Sequence, residues 1–138
     1  RNEAIIKETD KELELADTGL DNLKKSYAKK KDFKVLQKIL LLEFSQEQYV
    51  SLERDSSEAL ELFPAQPFLY LMNGRALNKL GKYRDAVGVF IIGIDFVVDN
   101  EAMEADFYEA LSKSHIGLNN KEEAEKYIQK AEQLRQRS

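Results

Sequence analysis

The sequence predicts an all-α fold: an α-α superhelix of about three helical hairpins with an N-terminal helix before them. Three observations carry this. Helix formers such as Leu, Glu, Lys and Ala dominate, and apolar residues return at steps of three and four, the period of an amphipathic helix. Only two prolines occur, Pro64 and Pro67, and they bracket one short connection. The chain is also similar to itself at two closely related spacings, as stacked helical repeats are.

The elements follow in order. In the opening segment, residues 1–31, Ile6, Leu13, Ala16, Leu20, Leu23 and Tyr27 fall on one helical stripe. Gly19 interrupts it at a cost of about 1 kcal/mol against alanine, so a bend or break is expected there. The pattern lasts too few heptads to favour a coiled coil. Residues 33–64 read as two helices, the first over Lys34 to Phe44, with Ser45 placed to cap the second. That second helix turns Tyr49, Leu52, Ser56, Ala59 and Leu62 or Phe63 inward and stops before Pro64. Phe68 to Leu80 is helical again and closes at Gly81.

The window "AVGVFIIGIDFVV", residues 86–98, is rich in β-branched residues and taken alone resembles a buried strand. It is longer than the ~5–6 residues of a usual strand. It also aligns with a helical position in the neighbouring unit, so a helix is expected.

The self-similarity fixes the register. Moving toward the C-terminus, one constant shift carries Tyr70 onto Tyr108, Gly74 onto Ser112, Ala86 onto Ala124, Phe90 onto Ile128 and Gly93 onto Ala131. Moving toward the N-terminus, a slightly shorter shift carries Ala86 onto Leu52, Gly93 onto Ala59 and Leu69 onto Val35. These residues resemble the tetratricopeptide repeat, a helix-turn-helix of about 34 residues. That family's pattern has an aromatic, a small residue four later, an alanine opening the second helix, then a further aromatic and small residue. Residues 67–98 match best, through Tyr70, Gly74, Leu77, Gly81, Tyr83, Ala86, Phe90 and Gly93. Residues 104–136 match through Tyr108, Ser112, Ala124, Ile128 and Ala131. Residues 33–64 supply Leu36, Tyr49, Ala59 and Pro64 but depart at Glu43, Leu52 and Ser56. The last two units are spaced more widely than the first two by about one helical turn, placed around Phe96 to Ala102. A whole turn would lengthen helices without scrambling the buried face.

Composition narrows the function classes. A chain of 138 residues suits one domain, 1–138, and a third of its residues are charged with both signs interspersed. The formal charge of −4 gives no general reason to expect nucleic acid. With no cysteine there is no disulfide scaffold, thiolate metal site or cysteine nucleophile. That suits the cytoplasm, though a periplasmic protein can lack cysteine too. The longest uncharged apolar run, Ala86 to Ile94, is far short of the ~20 residues of a membrane-spanning helix. The start at Arg1 predicts a processed or trimmed chain, part of a longer protein, with any signal or anchor upstream.

Enzymatic and cofactor signatures are weak. Gly81-Lys82 is not a phosphate loop, because Ala76 stands where such a loop needs glycine and Tyr83 where it needs Ser or Thr. His115, the only histidine, aligns with Leu77 and reads as a partly buried packing residue. The many carboxylate pairs on amphipathic helices read as solvated faces. No enzyme activity, cofactor or metal is therefore expected. The basic run Lys24, Lys25, Lys29, Lys30, Lys31, Lys34 and Lys38 makes a positive end where phosphate or an acidic peptide could bind. The plainer reading is that Lys29 to Lys31 complement the C-terminal dipole of the first helix.

What remains is a binding surface. The resemblance implies that the first helix of each hairpin lines a concave face used for partners. The helical period places Lys34, Gln37, Lys38 and Leu41 there in the first hairpin. Phe68, Leu71, Met72, Arg75, Asn78 and Lys79 follow in the second, and Asp106, Glu109 and Lys113 in the third. The expected groove is basic at one end, apolar in the middle and partly acidic at the other, suited to a peptide or helix with an apolar anchor and a charged flank. Some tetratricopeptide proteins clamp a chaperone's terminal carboxylates with lysine and asparagine. Gln37 and Leu41 occupy the matching positions here, which argues against that ligand. The expected function is thus a protein-interaction scaffold; the alternative is a homo-oligomeric element joined through its exposed end helices.

Overall fold

The computed structural model describes residues 19–137. Among them are seven helices and no strand. Residues 19–29 form α1. Then come α2 (Phe33–Ser45), α3 (Tyr49–Leu62), α4 (Pro67–Lys79), α5 (Tyr83–Ile94), α6 (Glu101–Gly117) and α7 (Lys121–Arg137). Ile6, Leu13 and Ala16 lie outside the described residues. The chain divides between Glu47 and Gln48 into two compact units.

In the first unit, Leu36, Ile39 and Leu40 of α2 and Leu20 of α1 are buried at steps set by the helical period. Asp32 caps α2, its carboxylate accepting from the Lys34 amide at 2.8 Å. Glu43, which breaks the repeat pattern, is wholly buried, and the Lys24 ammonium lies 3.3 Å from its carboxylate. A buried carboxylate is tolerated when a cation accompanies it. One lysine of the basic run is therefore occupied within the fold. Another, Lys31, lies 4.6 Å over the ring of Tyr27.

Ser45 does not cap α3. It is the last residue of α2, and its hydroxyl donates back to the Leu42 carbonyl at 3.0 Å. Serine competes for carbonyls of the preceding turn as readily as it caps. The left-handed Glu47 (φ 59°) then breaks the helix, and Gln48 takes the cap position.

In the second unit, each helix from α3 to α7 packs on the next, and α4 also touches α6. This is the contact pattern of stacked helical hairpins. Helices α2, α4 and α6 start at Phe33, Pro67 and Glu101, at equal steps along the chain. Yet α6 has 17 residues where α4 has 13. Gly93 packs on Tyr70, and Tyr108 packs beside Ala131, so the last hairpin keeps the wider register that pairs Tyr70 with Tyr108. The added turn is therefore the first turn of α6, residues 101–104. Asn100 caps it, its side-chain oxygen accepting from the Met103 amide at 3.0 Å.

The β-branched window is helical through Ile94, and Phe96 to Val98 leave the helix. Ala86, Phe90 and Gly93 are buried at steps of four and three, so the core imposes the helical period on residues that locally favour strand. Phe90 meets Phe107 edge to face at 6.1 Å, tying α5 to α6. Between α3 and α4, the buried Asn73 amide donates to the Glu53 carbonyl at 3.1 Å, the Ser56 hydroxyl at 2.9 Å and the Ser57 hydroxyl at 3.0 Å.

Candidate functional site

The adjacent first helices α4 and α6 carry most of the residues expected to bind. Their joint is made by Asn78. Its amide nitrogen donates to the Ala110 carbonyl at 3.1 Å, and its oxygen accepts from the Ser114 hydroxyl at 2.7 Å. With both ends of its side chain used, Asn78 sets the spacing of the two helices and is not a free ligand group. Leu71 and Met72 do not form the expected apolar middle of a groove. They are buried at 3% and 0% exposure, Leu71 in the cluster with Phe90, Phe107 and Leu111. The helical period finds the stripe but not its depth, and these side chains belong to the core.

Arg75, Lys79 and Lys113 reach the surface. Arg75 is half-buried, with a guanidinium nitrogen 3.9 Å from the Met72 sulfur. Lys79 is exposed, its ammonium 5.9 Å over the ring of Tyr49. Lys113 is exposed and pairs with Glu109 at 3.6 Å, one turn away. Phe68 is half-buried at the start of α4. In the first unit, Lys34 and Lys38 are exposed on α2, Gln37 is half-buried and Leu41 is 51% exposed.

The acidic end is largely neutralised. Arg135 of α7 donates to Asp106 at 3.0 Å and pairs with Glu109 at 2.8 Å. Desolvation works against its charge, but the hydrogen bonds and charges of Glu109 and Asp106 outweigh that and raise its pKa. Sequence reasoning misses Arg135 because it sits on a second helix, outside the stripe considered for binding. It also misses Ile116, 61% exposed on α6 at the position equivalent to Asn78. The surface that results is more basic than the expected groove.

His115 is half-buried and stacks on Tyr127 at 5.5 Å, and Tyr127 stacks on Tyr108 at 6.0 Å. This is the packing role expected of it. Adjoining the α4–α6 face, a groove of about 430 Å³ runs between α6 and α7, lined by Glu109, Lys113 and Ile116 of that face together with Ser112, Ala124 and Ile128. Among the described residues no cluster of three or more acidic or histidine side chains could hold a metal ion. No helix among them is long and apolar enough to cross a membrane.

Hairpins that recur along the chain, with small residues at the helix crossings and a shared first-helix face, define a tetratricopeptide-type helical-repeat fold. Solved structures agree. The chain is similar to "MamA MSR-1" at 22% identity and a TM-score of 0.73, over 89% of this chain and 69% of that one. It is similar to "MamA AMB-1" at 23% identity and a TM-score of 0.73, over 88% of this chain and 70% of that one. MamA is a helical-repeat protein of the tetratricopeptide type. No protein-family model and no curated protein sequence matches the chain.

Proposed function

We propose that the chain is a non-catalytic protein-interaction scaffold whose α4–α6 face binds an acidic peptide or helix of a protein partner. One observation supports this above the others. Arg75 and Lys113 occupy equivalent repeat positions on neighbouring first helices, whose spacing is held by both ends of the Asn78 side chain. Cations on a rigid platform suit a segment that carries carboxylates at matching intervals. An arginine fork can also grip a carboxylate bidentately. Lys79 adds a third positive charge, while Ile116 and Phe68 offer apolar contact for an anchor residue. Lys34 and Lys38 have the same sign on α2, but the reading of the second unit stands without them.

Peptide-library selection against the wild type and Arg75→Glu tests the proposal. Acidic peptides should be enriched on the wild type and lost on the variant. Equal binding to both proteins would refute the assignment of this face.

A second reading is self-association through the end helices. It is favoured by the groove between α6 and α7, whose equivalent one repeat earlier, at Gly74, Asn78, Ala86 and Phe90, is covered by α6. An Ile128→Glu variant that leaves the mass in solution unchanged at every concentration would sink this reading.

A further inference from the structure

The outward stripe of α5 departs from its own repeat. Positions 88, 91 and 92 hold Gly88, Ile91 and Ile92, all exposed, with the isoleucines at 49% and 54%. The equivalent positions one repeat earlier, on α3, are the exposed Arg54, Ser57 and Glu58. One repeat later, on α7, they are the exposed Lys126, Gln129 and Lys130. The neighbouring repeats thus display what a solvated helix face carries in this chain. Only α5 replaces it with glycine and two large apolar side chains. Gly88 has no packing reason within the fold, since a Cβ there would meet nothing within 4 Å. A mid-helix glycine still lowers helix stability.

Two charges bracket the apolar stripe. Arg84 lies one turn before Gly88, and Asp95 lies one turn after Ile91, on the same face of the helix. Neither has an ion-pair partner among the described residues. Both also stand at the unfavourable end of the helix dipole. Arg84 is in the first turn, where anions are favoured, and Asp95 is at the C-cap, where cations are.

We propose that this face binds a second copy of the chain, with the two α5 helices crossing antiparallel about a two-fold axis between positions 89 and 90. The spacing dictates that arrangement. An antiparallel pair centred there sets Gly88 against Ile91 of the second copy, a hole against a knob. It sets Arg84 against Asp95 of the second copy at both ends at once. Each unpaired charge meets its opposite, and the two helix dipoles run antiparallel. An isologous interface must be self-complementary in this way. The helix of 12 residues is about 18 Å long, so the contact falls below the ~1,200 Å² of a stable interface and the dimer is weak and concentration-dependent.

Sedimentation equilibrium over a dilution series tests this with the full chain. The wild type should show a monomer–dimer equilibrium, and Ile91→Glu should weaken it by about tenfold or more. Arg84→Glu and Asp95→Arg should each weaken it, and the double variant Arg84→Glu/Asp95→Arg should restore it. Within one chain these residues are eleven positions apart, about 16 Å along the helix, so an internal pair cannot produce the rescue. Ile128→Glu on the end face and Arg75→Glu on the α4–α6 face should leave the equilibrium unchanged. A wild type that is monomeric at every concentration overturns the proposal, as does a double variant no better than the single ones. Loss of the dimer in Ile128→Glu with retention in Ile91→Glu would move self-association to the end helices and overturn it as well.

Discussion

Gly74 of α4 lies against the ring of Phe90 of α5, so closely that a Cβ at position 74 would overlap the ring. Phe90 is wholly buried and packed on Phe107, so it has nowhere to retreat. Gly74→Ala should therefore destabilise the second unit. Overpacking costs about 1–3 kcal/mol, offset in part by the ~1 kcal/mol of helix propensity that alanine restores. Gly88→Ala, where a Cβ meets open space, should instead stabilise the monomer by about 0.5–1 kcal/mol. Urea unfolding of the two variants at low protein concentration gives the opposite signs, or the packing account is wrong.

Asn73 is the polar clip between α3 and α4. Replacing it with alanine removes three donor contacts and leaves the Glu53 carbonyl facing a void beside the Ser56 and Ser57 hydroxyls. The expected cost is about 1–3 kcal/mol in urea unfolding. A neutral result would mean that water or a shifted serine takes over its bonds.

Arg75 and Asn78 share a helix face and should separate cleanly by assay. Asn78→Ala breaks the joint to Ala110 and Ser114 and should lower stability by about 1–3 kcal/mol. Arg75→Glu should cost less stability than Asn78→Ala while abolishing selection of acidic peptides. Thermal unfolding and peptide binding measured on both variants test the two roles separately.

Tyr108 predicts an alkaline signature. Burial first, then the charge and hydrogen bond of Glu104, with a smaller contribution from Tyr127, raise its pKa above the ordinary 10.0. The unfolded chain therefore releases this proton before the folded one does. The stability linked to it is complete below a pH of about 10 and is lost as pH climbs through the folded value. Tyr108→Phe should decline less steeply than the wild type when the melting temperature is followed from neutral pH into the alkaline range. Parallel curves would show that Glu104 and burial do not hold the phenol neutral.

The period of apolar residues and the chain's self-similarity are enough to place the helices within a few residues and to set Gly74, Ala86, Phe90 and Gly93 at the crossings. Hydrophobic pattern is a local property of a helix face, and repeats display it more than once. Ser45 escapes such reading because a hydroxyl bonds forward as a cap or backward to a carbonyl with similar ease, and only the turn at Glu47 selects between them. The candidate face is legible in outline. Arg75, Lys79 and Lys113 lie on its surface, but no pattern along one helix could separate them from Leu71, Met72 and Asn78.

By itself, the sequence determined that this is an all-α chain of repeated hairpins, because amphipathic period, caps and small residues act within one helix or between sequence neighbours. The tertiary structure alone decided which faces are buried, paired or exposed. Leu71 and Met72 sink into the core, Arg135 reaches Asp106 and Glu109, Lys24 meets Glu43, and Ile91 and Ile92 stay uncovered. Burial and charge pairing depend on which distant element arrives at a face, and a single helix's sequence does not encode its neighbour.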